Sequence, residues 1–156
     1  MFTALYIYVF YRTNKTVVNQ LMAWIFPPEK FAAVRQNISQ SMPLPKWVVF
    51  TLPEALWVFC ATLLSKNLFF TIKKYPVKCL YLPIFFAFLW EVLQLTGITN
   101  GYFDYADLLG CTLAFLLAKF FLRLPYAPLH LIKHFSPQAI FFFAIFVVVY
   151  LSHVVS

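Results

Sequence analysis

The stretch from Trp90 to Gly110 reads W-E-V-L-Q-L-T-G-I-T-N-G-Y-F-D-Y-A-D-L-L-G and joins two long apolar segments. It holds Glu91, Asp104 and Asp107, although the whole chain of 156 residues has only 5 carboxylates. Because a carboxylate inside an apolar run is costly to bury, it usually has a partner or a task. The stretch therefore predicts both a turn between two helices and the location of a functional site.

The composition predicts an integral membrane protein. Hydrophobic residues make up 63% of the chain, charged residues only 11%, and the mean hydropathy is +0.80. A chain of this kind cannot present a mostly polar surface to water. Its basic residues lie between apolar runs, where they orient helices and contact anionic lipid. We therefore expect membrane lipids as partners and no nucleic acid, since no basic stripe marks a soluble module.

The expected fold is all-α: a polytopic transmembrane helix bundle that forms a single membrane domain over residues 1–156. The apolar pattern predicts five segments, at residues 2–11, 53–70, 78–96, 104–121 and 137–153. The first would be about 15 Å long as a helix, roughly half of a bilayer core. Residues 12–46 show helical apolar spacing on both sides of Pro27-Pro28, which favours interfacial amphipathic helices. A soluble helical loop resting on the other helices is the alternative.

The acidic residues share one predicted membrane face. If segments two, three and four each cross once, parity places four acids on the same side: Glu54, Glu91, Asp104 and Asp107. Counting Lys and Arg gives 7 on the opposite face and 5 on the acidic face. The positive-inside rule then places the acidic face outside the cytoplasm.

Several polar residues of the Trp90–Gly110 stretch have a capping explanation. Gly97 follows segment three where a left-handed C-terminal cap is expected, and Asn100-Gly101 is a tight-turn pair. Asp104 is placed to cap the next helix, and Asp107 would lie in its first turn. For Asp104, capping alone and a role in a site are both open.

Glu91 lies beyond the reach of capping. It precedes Gly97 by 6 residues, which places it roughly 9 Å below the helix end. Gln94 lies on the same helical face, where its amide can hydrogen-bond the carboxyl group in either protonation state. A functional or network role is favoured over a protonated Glu that is merely packed.

Segment four carries small residues at every fourth position, which predicts close approach of another helix along this stripe of Ala106, Gly110, Ala114 and Ala118. Because the connecting turn is short, segment three is the expected neighbour. Glu91, Gln94 and Asp107 would then converge.

Two further elements are open to two interpretations. Thr51-x-x-Glu54, with Pro53 in a first turn, fits a capping box, and Trp57 one turn later would line the same pocket or join the interfacial aromatic belt. His130 and His134 have a metal-like spacing but lie on the opposite face from the acids, which favours headgroup contact.

These motifs resemble the VanZ-like family of small bacterial membrane proteins. The resemblance covers residues 45–125 and rests on Glu91-x-x-Gln94, a glycine-containing turn, Asp104-x-x-Asp107 and the earlier Leu52-Pro53-Glu54-x-x-Trp57. The arginine that often precedes the paired aspartates in the family is missing between Gly97 and Phe103. The resemblance implies a multi-pass protein of the bacterial cytoplasmic (inner) membrane with cell-envelope functions, such as those linked to glycopeptide resistance, and an acidic pocket that opens away from the cytoplasm.

The main functional hypothesis is an extracytoplasmic-side acidic pocket that binds or processes an envelope lipid or a peptidoglycan-related ligand. Its predicted catalytic residues are Glu91, as proton donor or acceptor, and Asp107. The predicted substrate-binding residues are Gln94, Asp104, Trp57 and Glu54. Since carboxylates repel an anionic ligand, a bridging Mg²⁺ or Ca²⁺ would suit their hard oxygen atoms.

Two other functions fit the same residues. The first is a non-enzymatic structural or accessory subunit whose aromatic-rich exterior docks a membrane protein partner or a second copy in a homo-oligomer. The second is proton-linked transport, for which 156 residues would have to oligomerise or fold around an unusually small pathway.

Overall fold

The computed structural model of the protein describes residues 2–12, 16–99, 103–120, 128–131 and 136–153. Within these residues the chain is mostly helical and includes one small three-stranded sheet. In chain order the elements are α1 (Phe2–Phe10), α2 (Val17–Ile25), α3 (Pro28–Ser41), α4 (Lys46–Ser65), β1 (Leu68–Ile72), β2 (Tyr75–Lys78), a 3-10 turn (Cys79–Tyr81), α5 (Leu82–Leu95), α6 (Tyr105–Phe120), β3 (Leu129–His130) and α7 (Pro137–His153).

Helix α4 begins well before the predicted start of segment two. It starts at Lys46 and contains Pro53 in its interior, so the predicted segment 53–70 and the capping box at Thr51 are wrong. A proline inside a helix leaves the carbonyl four residues earlier without its N–H donor. In α4 this is the carbonyl of Val49, and Arg12 Nε donates to it at 3.3 Å. A side chain just beyond the end of α1 thus supplies a donor to the carbonyl that the proline leaves free.

The ends of α5 and α6 follow the predicted caps. Gly97 has φ +70, its N–H donates to Gln94 O, and the Ile98 N–H donates to Leu93 O. This is a left-handed Schellman cap. The Asp104 carboxylate accepts from the Ala106 N–H at 2.8 Å, which is the N-terminal cap of α6. Both capping predictions are confirmed, whereas the Asn100-Gly101 turn lies outside the described residues.

The all-α prediction is wrong for the lysine-rich connection after α4. Strands β1 and β2 pair antiparallel, and β3 pairs with β1 in parallel. The aromatic and β-branched residues of β1 favour a strand. Lys73 takes a left-handed turn conformation, with φ 57, where glycine or asparagine is usual. The sequence therefore lacks the ordinary signal for this hairpin.

Among the described residues, one helix, α4, is long and apolar enough to cross a membrane by length and composition. The apolar stretches Cys79–Leu95 and Pro137–Val147 are shorter, and α1 with its 9 residues is about 14 Å long. Many large apolar side chains are exposed nonetheless, among them Trp24, Phe85, Leu109 and Phe141. A bundle of five full spans stays a prediction.

Helix α6 packs mainly on α4, so the prediction of segment three as the neighbour of the small-residue stripe is wrong. A Cβ atom at Gly110 would lie 2.6 Å from Thr51 Cγ2 and 3.7 Å from Ala55 Cβ. The missing side chain therefore lets the two helices approach. Deeper in the bundle the same helices share an apolar core with α7, formed by Trp57, Val58, Ala61, Cys111, Phe115 and Ile145.

Candidate functional site

Three carboxylates from three helices meet at one end of the bundle. Glu54 of α4, Glu91 of α5 and Asp107 of α6 each place one oxygen within 4.8 Å of the other two. Glu91 is 4% exposed and Asp107 is 9% exposed, while Glu54 is half-buried. The structure thus brings Glu91 and Asp107 together as expected, together with Glu54, which was predicted to bind substrate in the same pocket and whose alternative role as a cap does not form. We call these three residues the acidic cluster.

Neutral donors hold the two buried carboxylates of the acidic cluster. The Thr51 hydroxyl donates to Asp107 Oδ1 at 2.5 Å, and the Asp104 backbone N–H donates to Glu91 Oε2 at 3.2 Å. The first bond depends on the close approach of α4 and α6 at Gly110. The second depends on the turn that leads into α6. Each carboxylate retains a second oxygen that these two bonds do not use.

Arg12 is the functional residue that sequence reasoning missed. Its Nη2 lies 3.8 Å from Glu54 Oε1 and donates to Phe50 O at 2.9 Å. Its guanidinium carbon lies over the rings of Tyr8 at 4.9 Å and of Phe50 at 5.1 Å. Two features of the sequence could have indicated this contact: an arginine directly after the first apolar segment, and Pro53 within the second. Pro53 leaves the Val49 carbonyl without its helical donor, and Arg12 binds that carbonyl.

A second arginine fixes the position of Arg12. Arg35 of α3 donates to the backbone carbonyls of Phe10 and Arg12, which lie at and just beyond the C-terminal end of α1. A cation at this end of a helix also interacts favourably with the helix dipole. Helix α3 therefore orients the segment that delivers Arg12 to the acidic cluster.

The charges of Glu91 and Asp107 need compensation. Among the described residues neither carboxylate forms an ion pair, and the Thr51 hydroxyl and the Asp104 N–H that donate to them are neutral. Two ionised carboxylates no more than 4.8 Å apart repel by at least roughly 3 kcal/mol at an effective dielectric constant of about 20. Arg12, beside Glu54, offsets part of this repulsion, and a proton or a bound cation would relieve the rest.

The spacing of the acidic cluster suits a divalent cation with long oxygen bonds. Ca²⁺–oxygen distances of about 2.3–2.6 Å place ligands on opposite sides of the ion roughly 5 Å apart, whereas the octahedral distances of Mg²⁺ allow only about 4 Å. Three oxygens no more than 4.8 Å from one another are close enough to share one divalent ion. The longer and more flexible coordination of Ca²⁺ tolerates the upper end of this spacing better than the octahedral coordination of Mg²⁺.

The remaining predicted site residues lie around the acidic cluster or away from it. The Asp104 side chain is exposed and caps α6, so only its backbone N–H faces the acidic cluster. Gln94 lies half-buried on α5, one turn after Glu91.

Trp57 is only 7% exposed and belongs to the apolar core, where it meets Phe146 edge-on at a centroid distance of 5.2 Å. The prediction that Trp57 belongs to an interfacial aromatic belt is therefore wrong. Its indole N–H has no hydrogen-bond partner among the described residues.

His130 is not part of the acidic cluster. His130 Nε2 lies 3.1 Å from Thr71 Oγ1, and its ring meets Phe69 edge-on at 5.1 Å. His130 thus ties β3 to β1. His134 lies outside the described residues, so the i, i+4 pair is not tested.

No protein-family model, curated protein or solved structure matches this chain at a significant level. The resemblance to the VanZ-like family therefore stays a prediction.

Proposed function

We propose that the protein is a multi-pass integral membrane protein of the bacterial cell envelope that binds a divalent cation at the acidic cluster. Through this cation it would hold an anionic group of an envelope lipid or a peptidoglycan-related ligand. The observation that carries the proposal is the close approach of the buried carboxylates of Glu91 and Asp107, with neutral donors on both. A cation relieves their repulsion and gives a phosphate or carboxylate ligand a positive partner.

The surface of the protein supports the membrane part of the proposal. Soluble monomers rarely expose large contiguous apolar patches, but on α5 alone Phe85, Phe88, Val92 and Leu95 are all exposed. Helix α4 has the length and composition of a span. After cell fractionation the protein should remain in membranes washed with alkaline carbonate. Its release into the wash would contradict the membrane location without bearing on the cation.

The cation part is tested by isothermal titration of Ca²⁺, and separately of Mg²⁺, into the purified protein in detergent. We expect saturable binding of about one ion per chain, with Ca²⁺ tighter than Mg²⁺ because of the ligand spacing. Glu91→Gln and Asp107→Asn should each weaken binding at least roughly tenfold, since each removes a ligand charge. Glu29→Gln is the matched control, because Glu29 is an exposed carboxylate on α3 and its loss changes the net charge equally.

The ligand part needs a second titration, with a lipid-linked phosphate as the probe. Its binding should require Ca²⁺ and disappear with a chelator or with Asp107→Asn. Binding that is equally strong in chelator would contradict a bridging cation.

A structural role for the acidic cluster is the second candidate, favoured by the way its carboxylates join three helices. Glu54, Glu91 and Asp107 link α4, α5 and α6, and Arg12, just beyond the end of α1, adds a contact to Glu54. In that case a shared proton, and no metal ion, balances the charges. Glu91→Gln would then impair assembly or stability, and the wild type would bind no divalent cation in the titration.

A further inference from the structure

A second candidate site lies between α1, α2 and α3, in the N-terminal part of the chain. These helices flank an open groove of about 770 Å³, which is within the usual range for small-molecule sites. Its walls are almost entirely apolar and include Leu5 and Phe10 of α1, Met22 of α2, and Phe31 and Val34 of α3. An apolar groove of this size favours a ligand with a long hydrocarbon part.

Among the described residues that line the groove, the single charged residue is a cation. This is Lys30, in the first turn of α3, and because the walls are almost entirely apolar its methylene groups contact the groove while its ammonium group lies at the edge. The sole carboxylate in residues 1–45 is Glu29, which does not line the groove. The positive end of the α3 dipole lies at the same place. The groove therefore offers apolar contact along its length and a positive charge at its edge.

This pattern is complementary to an amphiphile with an apolar chain and an anionic headgroup. Lysine binds phosphate as a compact point charge, and anionic phospholipids attract basic residues at a membrane surface. A zwitterionic lipid or an uncharged apolar peptide would leave Lys30 without a charged partner.

We propose that the groove between α1, α2 and α3 binds an anionic phospholipid, with an acyl chain against Leu5, Phe31 and Val34 and the headgroup phosphate at Lys30. This site is separate from the acidic cluster and does not require a cation there. It rests on the proposed membrane location, which carbonate washing tests by itself.

The test is native mass spectrometry of the purified full chain with phosphatidylglycerol or phosphatidylcholine of the same acyl chains. The wild type should bind one phosphatidylglycerol molecule in preference to phosphatidylcholine. Lys30→Gln should weaken phosphatidylglycerol binding roughly fivefold, as expected for one lysine near a membrane surface, and leave phosphatidylcholine unchanged. Lys74→Gln is the matched control, because it removes the same charge from the hairpin turn outside the groove, and it should have no effect.

Filling the groove gives an independent test of the acyl-chain site. Leu5→Trp and Val34→Trp add bulk from opposite walls, and each should abolish retention of both lipids while the helical circular dichroism is preserved. If either variant fails to fold, the Lys30 and Lys74 pair still decides the question.

Three results would overturn the proposal. In the first, the wild type retains both lipids equally. In the second, Lys30→Gln and Lys74→Gln have the same effect. In the third, the wild type is a dimer that Val34→Trp converts to a monomer, which would assign the groove to a second copy of the chain.

Discussion

Helices α4 and α6 meet in two regions of very different chemistry. At one end Thr51 hydrogen-bonds Asp107 beside Gly110, and two more carboxylates lie close by. About two turns deeper, the same helices share an apolar core that includes Trp57 and Phe115. The apolar core buries side chains that need no partner, whereas the polar end buries carboxylates that are costly without one. The difference makes the polar end the place where stability and a functional role can be separated by experiment.

Arg12→Ala should produce the largest loss of stability. It removes the cation near Glu54 and the donors to the carbonyls of Val49 and Phe50. Breaking a fully buried ion pair costs about 3–5 kcal/mol. Because the Arg12 and Glu54 side chains are each 18% exposed, we expect about 2–4 kcal/mol. SDS titration in mixed micelles, followed by circular dichroism, measures the free energy of unfolding.

The control for this variant is Lys46→Ala, which removes an exposed basic side chain at the start of the same helix. It should change the free energy of unfolding by less than about 0.5 kcal/mol. Equal effects of the two substitutions would mean that Arg12 does not hold the polar end together.

Gly110→Ala should separate the two helices at the polar end. Its new methyl group would lie 2.6 Å from Thr51 Cγ2, so Thr51 or the whole helix must move. Overpacking of this kind costs about 1–3 kcal/mol, and displacement of Asp107 should also weaken Ca²⁺ binding.

Gly97→Ala is the control, because its φ of +70 causes backbone strain while a Cβ there meets nothing within 4 Å. This variant should reduce stability by about 1 kcal/mol and leave the affinity for Ca²⁺ unchanged. An equal loss of Ca²⁺ affinity in Gly110→Ala and Gly97→Ala would refute the link between helix spacing and the acidic cluster.

Two threonines of α4 allow a direct comparison, because one lies at the polar end and the other in the apolar region. Thr51 donates to Asp107, whereas the buried Thr62 hydroxyl has no hydrogen-bond partner among the described residues. Thr51→Val should cost about 1–2 kcal/mol, since a bond to a carboxylate is lost. Thr62→Val should be neutral or stabilising, because it removes an unsatisfied buried hydroxyl. The same unfolding titration checks both, and a larger cost for Thr62→Val would reverse the assignment of polar and apolar regions.

Pro53→Ala should change the free energy of unfolding least among these variants. Its main effect should be to reduce the loss of stability that Arg12→Ala causes. The substitution restores an N–H that can donate to Val49 O, so Arg12 becomes less necessary for α4. In a double-mutant cycle we expect Arg12→Ala to cost about 1 kcal/mol less in the Pro53→Ala background. Strict additivity would show that the carbonyl freed by the proline is not what Arg12 stabilises.

The local features of the polar end could be read from the sequence, because they depend on neighbouring residues. Gly97 and Asp104 cap the two helix ends as predicted, and the bounds of α5, α6 and α7 lie within a few residues of the predicted segments. The expected approach of Glu91 and Asp107 also followed from a short turn between two helices.

The features that were missed depend on contacts between distant parts of the chain. Arg12 and Pro53 act together across 41 positions of sequence, so neither residue alone indicates the contact, and Pro53 alone suggested a helix start. The partner of the small-residue stripe is α4 and not the neighbouring α5, since Gly110 fits against Thr51. The hairpin after α4 was missed because Lys73 occupies a turn position that usually carries glycine.

The central claim is that Glu54, Glu91 and Asp107 together bind one divalent cation. A crystal structure of the protein grown with Mn²⁺, which prefers the same oxygen ligands as Mg²⁺ and Ca²⁺, measures this directly through anomalous scattering. We predict one anomalous peak between the three carboxylates, within about 2.5 Å of an oxygen of each. An ordered acidic cluster without a peak at saturating Mn²⁺, or a peak bound elsewhere, would contradict the claim.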